Sequence, residues 1–170
     1  MGCASVALDV RKLALYAKIM DIIDRKIIRA LQEDGRMSNR DLADRVGLSP
    51  SPCLRRLKAL EARGVITGYR ASVDGRAYGL PLTVFIRVRL ERHDEATVQG
   101  FERAMHRLGN VLECHVMTGA VDYLLKVVVA DLEDYERFVR HRLHTIGGIA
   151  SIDTSFAYGL VKKTAVFPEV

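Results

Sequence analysis

The sequence predicts an α+β protein with an N-terminal winged helix-turn-helix over residues 20–73 and a ferredoxin-like βαββαβ domain over 82–170. Three observations predict it. Apolar residues keep a helical period in three bursts between Asp21 and Gly64, with a Gly-Leu-Ser-Pro turn between the second and third. At Leu82 the period changes to two, and strand-like and helix-like segments then follow in the order β-α-β-β-α-β to Ala157. Positive charge gathers in the front part: residues 20–76 hold 12 Lys/Arg against 8 Asp/Glu, whereas residues 77–170 hold 11 against 12. Such asymmetry suits a front half that faces a polyanion.

Residues 1–19 carry apolar Val6, Leu8, Val10, Leu13, Leu15 and Ile19. They read either as an accessory helix or as an extension ahead of a natural start at Met20. From Asp21, the residues Ile23, Ile27, Ile28, Ala30 and Leu31 recur at helical spacing, and Asp34-Gly35 stops the run. Ser38 opens a second short helix, with Asp41 in its first turn and Leu42, Ala43 and Val46 on its inner face. Gly47 closes that helix. Ser49 is the expected N-cap of a third, and Pro50 suits its first position, where a missing N–H costs nothing. This third helix runs to about Arg63 with Cys53, Leu54, Leu57 and Leu60 as its buried stripe. Val65–Val73 reads as a short extended hairpin around Thr67-Gly68.

Residues 74–81 form a turn-rich linker. Beyond it Leu82, Val84, Ile86, Val88 and Leu90 alternate with Thr83, Phe85, Arg87 and Arg89, so one sheet face is aliphatic and the other mixed. Val98, Phe101, Ala104, Met105 and Leu108 make a helix. Val111–Thr118 and Tyr123–Val129 make two strands, and Leu132 to Ile146 a second helix that Gly147-Gly148 ends. Ile149–Ala157 is the last strand. The exposed edges and aliphatic face of this sheet place the main contact between two copies there.

Several classes are disfavoured. No apolar run approaches the roughly 20 residues that a membrane-spanning helix needs. Cys3, Cys53 and Cys114 are too scattered for a disulfide framework or a zinc site, so a reducing cytoplasm is expected, with no cofactor and no metal. His141 and His144 share a helix face but lack an evident third ligand. His115 and Cys114 point to opposite sides of a strand and cannot chelate together.

Ser51, Arg55 and Lys58 recur at i, i+4, i+7 opposite the buried stripe of the third helix, flanked by Pro52, Arg56 and Arg63. A helix that packs on its own domain while showing such donors can read base edges and phosphates of double-stranded DNA. Ser38 and Ser49 complete the candidate contacts. Read in isolation, this helix is equally a solvated amphipathic one.

At this point the sequence resembles the Lrp/AsnC family of leucine-responsive regulators and their relatives. The matching stretches include Asp34-Gly-Arg-Met-Ser, Asp41-Leu-Ala-Asp-Arg-Val-Gly-Leu-Ser-Pro-Ser-Pro-Cys-Leu-Arg-Arg, Leu60-Glu-Ala-Arg-Gly-Val-Ile-Thr-Gly-Tyr and Glu113-Cys-His-Val-Met-Thr-Gly-Ala-Val-Asp-Tyr-Leu-Leu-Lys. The resemblance runs from about residue 20 to the end. It implies a transcription regulator whose second domain binds an amino acid or related metabolite and forms homodimers that assemble to tetramers or octamers. It also implies an effector site between dimers at Thr118, Gly119, Asp122, Tyr123 and Leu124, with further positions at Val116, Leu132, Ser155, Phe156 and Ala157. The chemistry is reasonable, since N–H groups at a glycine turn can take a carboxylate and an Asp an ammonium. Gly119 to Asp122 is also the composition of an ordinary hairpin turn. The apolar residues favour a leucine-like or aromatic effector.

Two other functions fit parts of the pattern. Siroheme decarboxylases resemble the same two-domain arrangement, but no Ser-His-Asp order, phosphate loop or convincing carboxylate pair is present, so no enzymatic activity is expected. A DNA-architectural protein without an effector would share the helix-turn-helix.

Overall fold

The structure, a computed structural model, describes residues 20–168. The accessory segment considered at 1–19 lies outside them. The chain divides into two compact units. One ends at Ala71 and takes back the chain from Lys162 onward, and the other is Ser72–Val161. The last residues group with the front unit because they bond to its first helix.

The front unit contains α1 (Ile22–Glu33), α2 (Asn39–Val46) and α3 (Pro50–Ala62). Local chemistry starts and stops each one. The Asp21 carboxylate accepts the Asp24 N–H at 2.8 Å, and Ser38 Oγ accepts the Asp41 N–H at 3.2 Å. Gly47 ends α2 at φ +73°, a conformation costly for any side chain with a Cβ. Ile27, Ala30, Leu42, Ala43, Val46, Cys53 and Leu60 form the core, each large aliphatic among them contributing about 1.5–3 kcal/mol on burial. Leu54 departs from the expected stripe and is 39% exposed, since it sits about 100° round the helix from Cys53.

The expected hairpin at Val65–Val73 does not form a strand ladder. The N–H groups of Val65 and Ile66 both turn back to Leu60 O, at 3.0 and 3.3 Å, closing α3. The Tyr69 hydroxyl then donates to Glu61 Oε1 at 2.8 Å, so this segment is fastened to the helices instead of to a second strand.

The second unit contains β1 (Leu82–Leu90), α4 (Glu95–Met105), β2 (Val111–Val116), β3 (Tyr123–Val129), α5 (Leu132–Phe138) and β4 (Ile149–Phe156). Its sheet is antiparallel throughout in the order β2-β3-β1-β4. Val84, Ile86, Val88 and Leu90 of β1 and Tyr123, Leu125, Val127 and Val129 of β3 are buried with Phe101 and Met105 of α4 and Phe138 of α5. The aliphatic face is therefore already covered by the chain's own helices and is not free for a second copy. The opposite face presents half-buried Phe85, Leu124 and Val128 among Arg87, Lys126 and Glu113.

After Phe138 the helix widens into a π turn over Val139–Leu143, with His144 N–H donating to Val139 O. Gly148 then turns the chain at φ +84°. A Cβ there would lie 2.6 Å from Thr97 Cγ2, so only glycine lets β4 begin beneath α4.

Candidate functional site

The outward side of α3 carries the candidate DNA contacts. Ser51, Arg55 and Lys58 are exposed, and neither Arg55 nor Lys58 has a hydrogen-bond partner among the described residues. Ser49 has the extended backbone of an N-cap, but its hydroxyl makes no capping bond. Pro50 and Pro52 lack N–H groups and Cys53 N–H bonds Ser49 O, so Ser51 N–H alone is left among the first four residues of α3 without a helical partner. Ser38 is exposed, but its hydroxyl serves the start of α2, accepting from Asp41 N–H and donating to Asp41 Oδ2 at 2.6 Å. Asn39 Nδ2 donates to Pro50 O at 2.9 Å, tying the start of α2 to that of α3.

Arg56 behaves differently from its neighbours. Its guanidinium turns inward to Asp21 Oδ2 at 2.7 Å and Asp24 Oδ1 at 2.8 Å, joining α3 to the first turn of α1. Asp24 is buried, 7% exposed, and Arg56 neutralises it. The Asp21 carboxyl is held below the usual carboxylate range, first by the Asp24 N–H and then by Arg56. Arg56 is thus a fastener, not part of the outward face. Arg63 is half-buried at the C-cap.

The ten effector positions fall into distinct places. Val116, Thr118 and Gly119 are exposed at the β2–β3 turn, where Met117 N–H donates to Asp122 O at 2.8 Å and Gly119 has φ +108°. Asp122 closes this end of the sheet. Its Oδ2 accepts the Leu90 N–H at 2.7 Å, and His93 Nε2 lies 2.8 Å from Oδ1. The Leu90 N–H first, and His93 second, hold the Asp122 carboxyl below its ordinary range. Each oxygen keeps a further lone pair for an incoming donor. Tyr123 points into the core. Its ring lies 4.5 Å from that of Phe101, its hydroxyl donates to Glu102 Oε1, and burial raises its ionisation well above normal. Leu124 lies on the uncovered face, opposite Arg87 and His115.

Leu132, Ser155, Phe156 and Ala157 stand at the other end. Phe156 is opposite Val84 of β1 and Tyr123 is opposite Val88, so these two are about 13 Å apart along the strands, whereas Leu124 and Ser155 are offset by only two residues of β1. Phe156 packs edge-on against Tyr135 with ring centres 5.0 Å apart, and Leu132 is 63% exposed beside Tyr135 in a groove on α5. Ser155 lies beside Arg87, whose Nη1 donates to its Oγ at 3.2 Å. Within one chain the Gly119 turn and Phe156 thus stand toward opposite ends of the sheet. His93 escaped the sequence reading, because nothing in the spacing of a loop histidine shows that it meets a carboxylate 29 residues on.

A family model for winged helix-turn-helix DNA binding matches residues 20–67, and one for the Lrp/AsnC ligand binding domain matches residues 83–167. The leucine-responsive regulatory protein of Haemophilus influenzae is 40% identical over 147 residues, 86% of this chain and 89% of that protein. The Bkd operon transcriptional regulator of Pseudomonas aeruginosa is 44% identical over 138 residues, 81% and 90% of the two chains. Among solved structures, a transcriptional regulator of Neisseria meningitidis in complex with L-Met superposes with a TM-score of 0.84 at 38% identity, covering 88% of this chain and 96% of that one.

Proposed function

The chain belongs to the Lrp/AsnC family of transcription regulators, and from that premise we propose that it reads double-stranded DNA through Ser49, Ser51, Pro52, Arg55 and Lys58 while an amino acid held by the second unit sets its response. The observation that carries the DNA reading is the division of labour on α3. Cys53 and Leu60 are buried, Arg56 is spent on Asp21 and Asp24, and Arg55 and Lys58 keep their donors for something outside the chain. One such helix covers half a site. The protein therefore acts as a two-fold homodimer, assembling further to a tetramer or octamer, on near-palindromic DNA with half-sites about 10 bp or a multiple apart.

The amino acid bridges copies of the second unit. In this reading the Gly119 turn of one copy takes its carboxylate, Asp122 takes its ammonium, and apolar Leu132 and Phe156 come from another copy. The separation of the two groups within one chain supports a shared site, and the L-Met complex of the Neisseria regulator supports the ligand class. The protein works by binding, without a catalytic step or cofactor, in the cytoplasm where its DNA is. No helix among the described residues is long and apolar enough to cross a membrane.

A thermal-shift screen of the twenty amino acids, followed by operator titration with those that stabilise, tests this. A ligand at 100 times its Kd raises stability by about 2.7 kcal/mol. A few apolar amino acids should do so and change operator affinity roughly 5–150-fold. If none stabilises, the DNA-architectural reading replaces this one.

A further inference from the structure

The outer face of α1 carries a cleft of about 670 Å³ whose walls include Ile22, Arg25, Ile28 and Val65, and whose far side is Phe167 and Pro168 from the end of the chain. Gln32, on the same stripe of α1, holds that segment by both ends of its amide. Its Nε2 donates to Ala165 O at 2.7 Å, and its Oε1 accepts the Phe167 N–H at 3.2 Å. A carbonyl at residue i and an N–H at i+2 are the pair that one edge of an extended strand offers, and a primary amide matches them as a neighbouring peptide group would. The chain therefore passes between the two units twice, once after Ala71 and again before Lys162. Only seven residues lie between Ala157, whose N–H still bonds Thr83 O in the sheet, and Ala165.

We propose that the C-terminal segment is a strap seated on α1 and keyed by Gln32, a second tether that limits how freely the DNA-binding unit moves. The strap is built to open. Phe167 leaves 74% of its surface in solvent, so two exposed hydrogen bonds, not burial, hold it, and such contacts belong to the low-stability end of a protein. A regulator that must place two DNA-binding units on one operator gains from this restriction, because a tethered unit meets its half-site at a higher effective concentration. The consequence for DNA rests on the two-copy reading above.

The test uses the full chain and Gln32→Leu, which keeps helix propensity and removes both bonds, with Gln32→Glu, which keeps only the acceptor. Amide exchange at Phe167 should be about 10-fold faster or more in Gln32→Leu and intermediate in Gln32→Glu. Affinity for a duplex with two half-sites should fall about 3- to 10-fold in Gln32→Leu, with affinity for a single half-site unchanged. Unchanged exchange at Phe167 overturns the strap. Equal loss on both duplexes also overturns it, because Gln32 would then support the DNA surface itself. A wild type that binds one and two half-sites equally defeats the two-copy reading instead, and the exchange experiment then decides the strap alone.

Discussion

Arg55 and Arg56 are adjacent in sequence and have opposite tasks, which makes them a direct test of the α3 assignment. Arg55→Ala should leave the melting temperature unchanged and cost about 1–3 kcal/mol of operator binding if the arginine reads a base. Arg56→Ala should instead lower the melting temperature by roughly 5 °C, because Asp24 loses its counter-charge, and weaken DNA binding only through the fold. Calorimetry and gel-shift titration of both variants separate the two. A melting temperature unchanged in Arg56→Ala contradicts the fastening role. A second test concerns Asp122. Its folded carboxyl ionises below the unfolded value of about 3.9, so its contribution to stability is complete above about pH 5 and drains away as pH falls through the lowered folded value. Asp122→Asn should therefore lose less melting temperature than the wild type between pH 6 and pH 3, measured by circular dichroism. Equal losses would mean that the Leu90 and His93 contacts do not persist in solution.

Helices and turns were the most legible parts of the sequence, because caps and periods are local. Ser38 with Asp41, Pro50 at the first turn of α3 and Gly47 at the end of α2 all act where their spacing placed them. Ser38→Ala removes the acceptor of the Asp41 N–H and should cost about 1 kcal/mol in urea unfolding. Since its hydroxyl is occupied within α2, operator affinity of the folded variant should change less than for Arg55→Ala. Gly148→Ala is a sharper case. The new methyl meets Thr97 at 2.6 Å and the backbone is left-handed, so a loss of about 1–3 kcal/mol is expected, restored in part by Thr97→Ser. The hairpin after α3 and the regular end of α5 were not legible. Val and Ile at 65–66 satisfy a strand pattern, but their N–H groups close the helix instead. The π turn over Val139–Leu143 lets Phe138 and Leu143, five residues apart, both be buried.

In the two-copy reading proposed above, the sheet surface left for a second copy is its uncovered side. Phe85, Leu124 and Val128 alternate there with Lys126 and Arg87, which pair with Glu113 and Asp153. Half-buried apolar side chains interleaved with paired charges suit contact with a second copy of the same face. Phe85→Lys should shift light scattering of the full chain toward monomer at micromolar concentration, and operator affinity should fall with it as the second half-site contact is lost. If the variant scatters like the wild type, the copies meet elsewhere.

Local order in the sequence was enough for the two-part α+β plan, the helix caps, the strand alternation and the exposed Ser51-Arg55-Lys58 face. Each depends on residues a few positions apart, and backbone sterics and solvent exposure act at that range. Other features needed the tertiary structure because they join residues distant in the chain. It turned Arg56 inward 32 residues back to Asp24, placed His93 on Asp122, sent Tyr123 into the core and divided the effector positions between opposite ends of the sheet. It also returned the last residues to Gln32, more than 130 positions away. A charged or amide side chain settles on whichever partner the fold brings within about 3 Å, and periodicity carries no information about that.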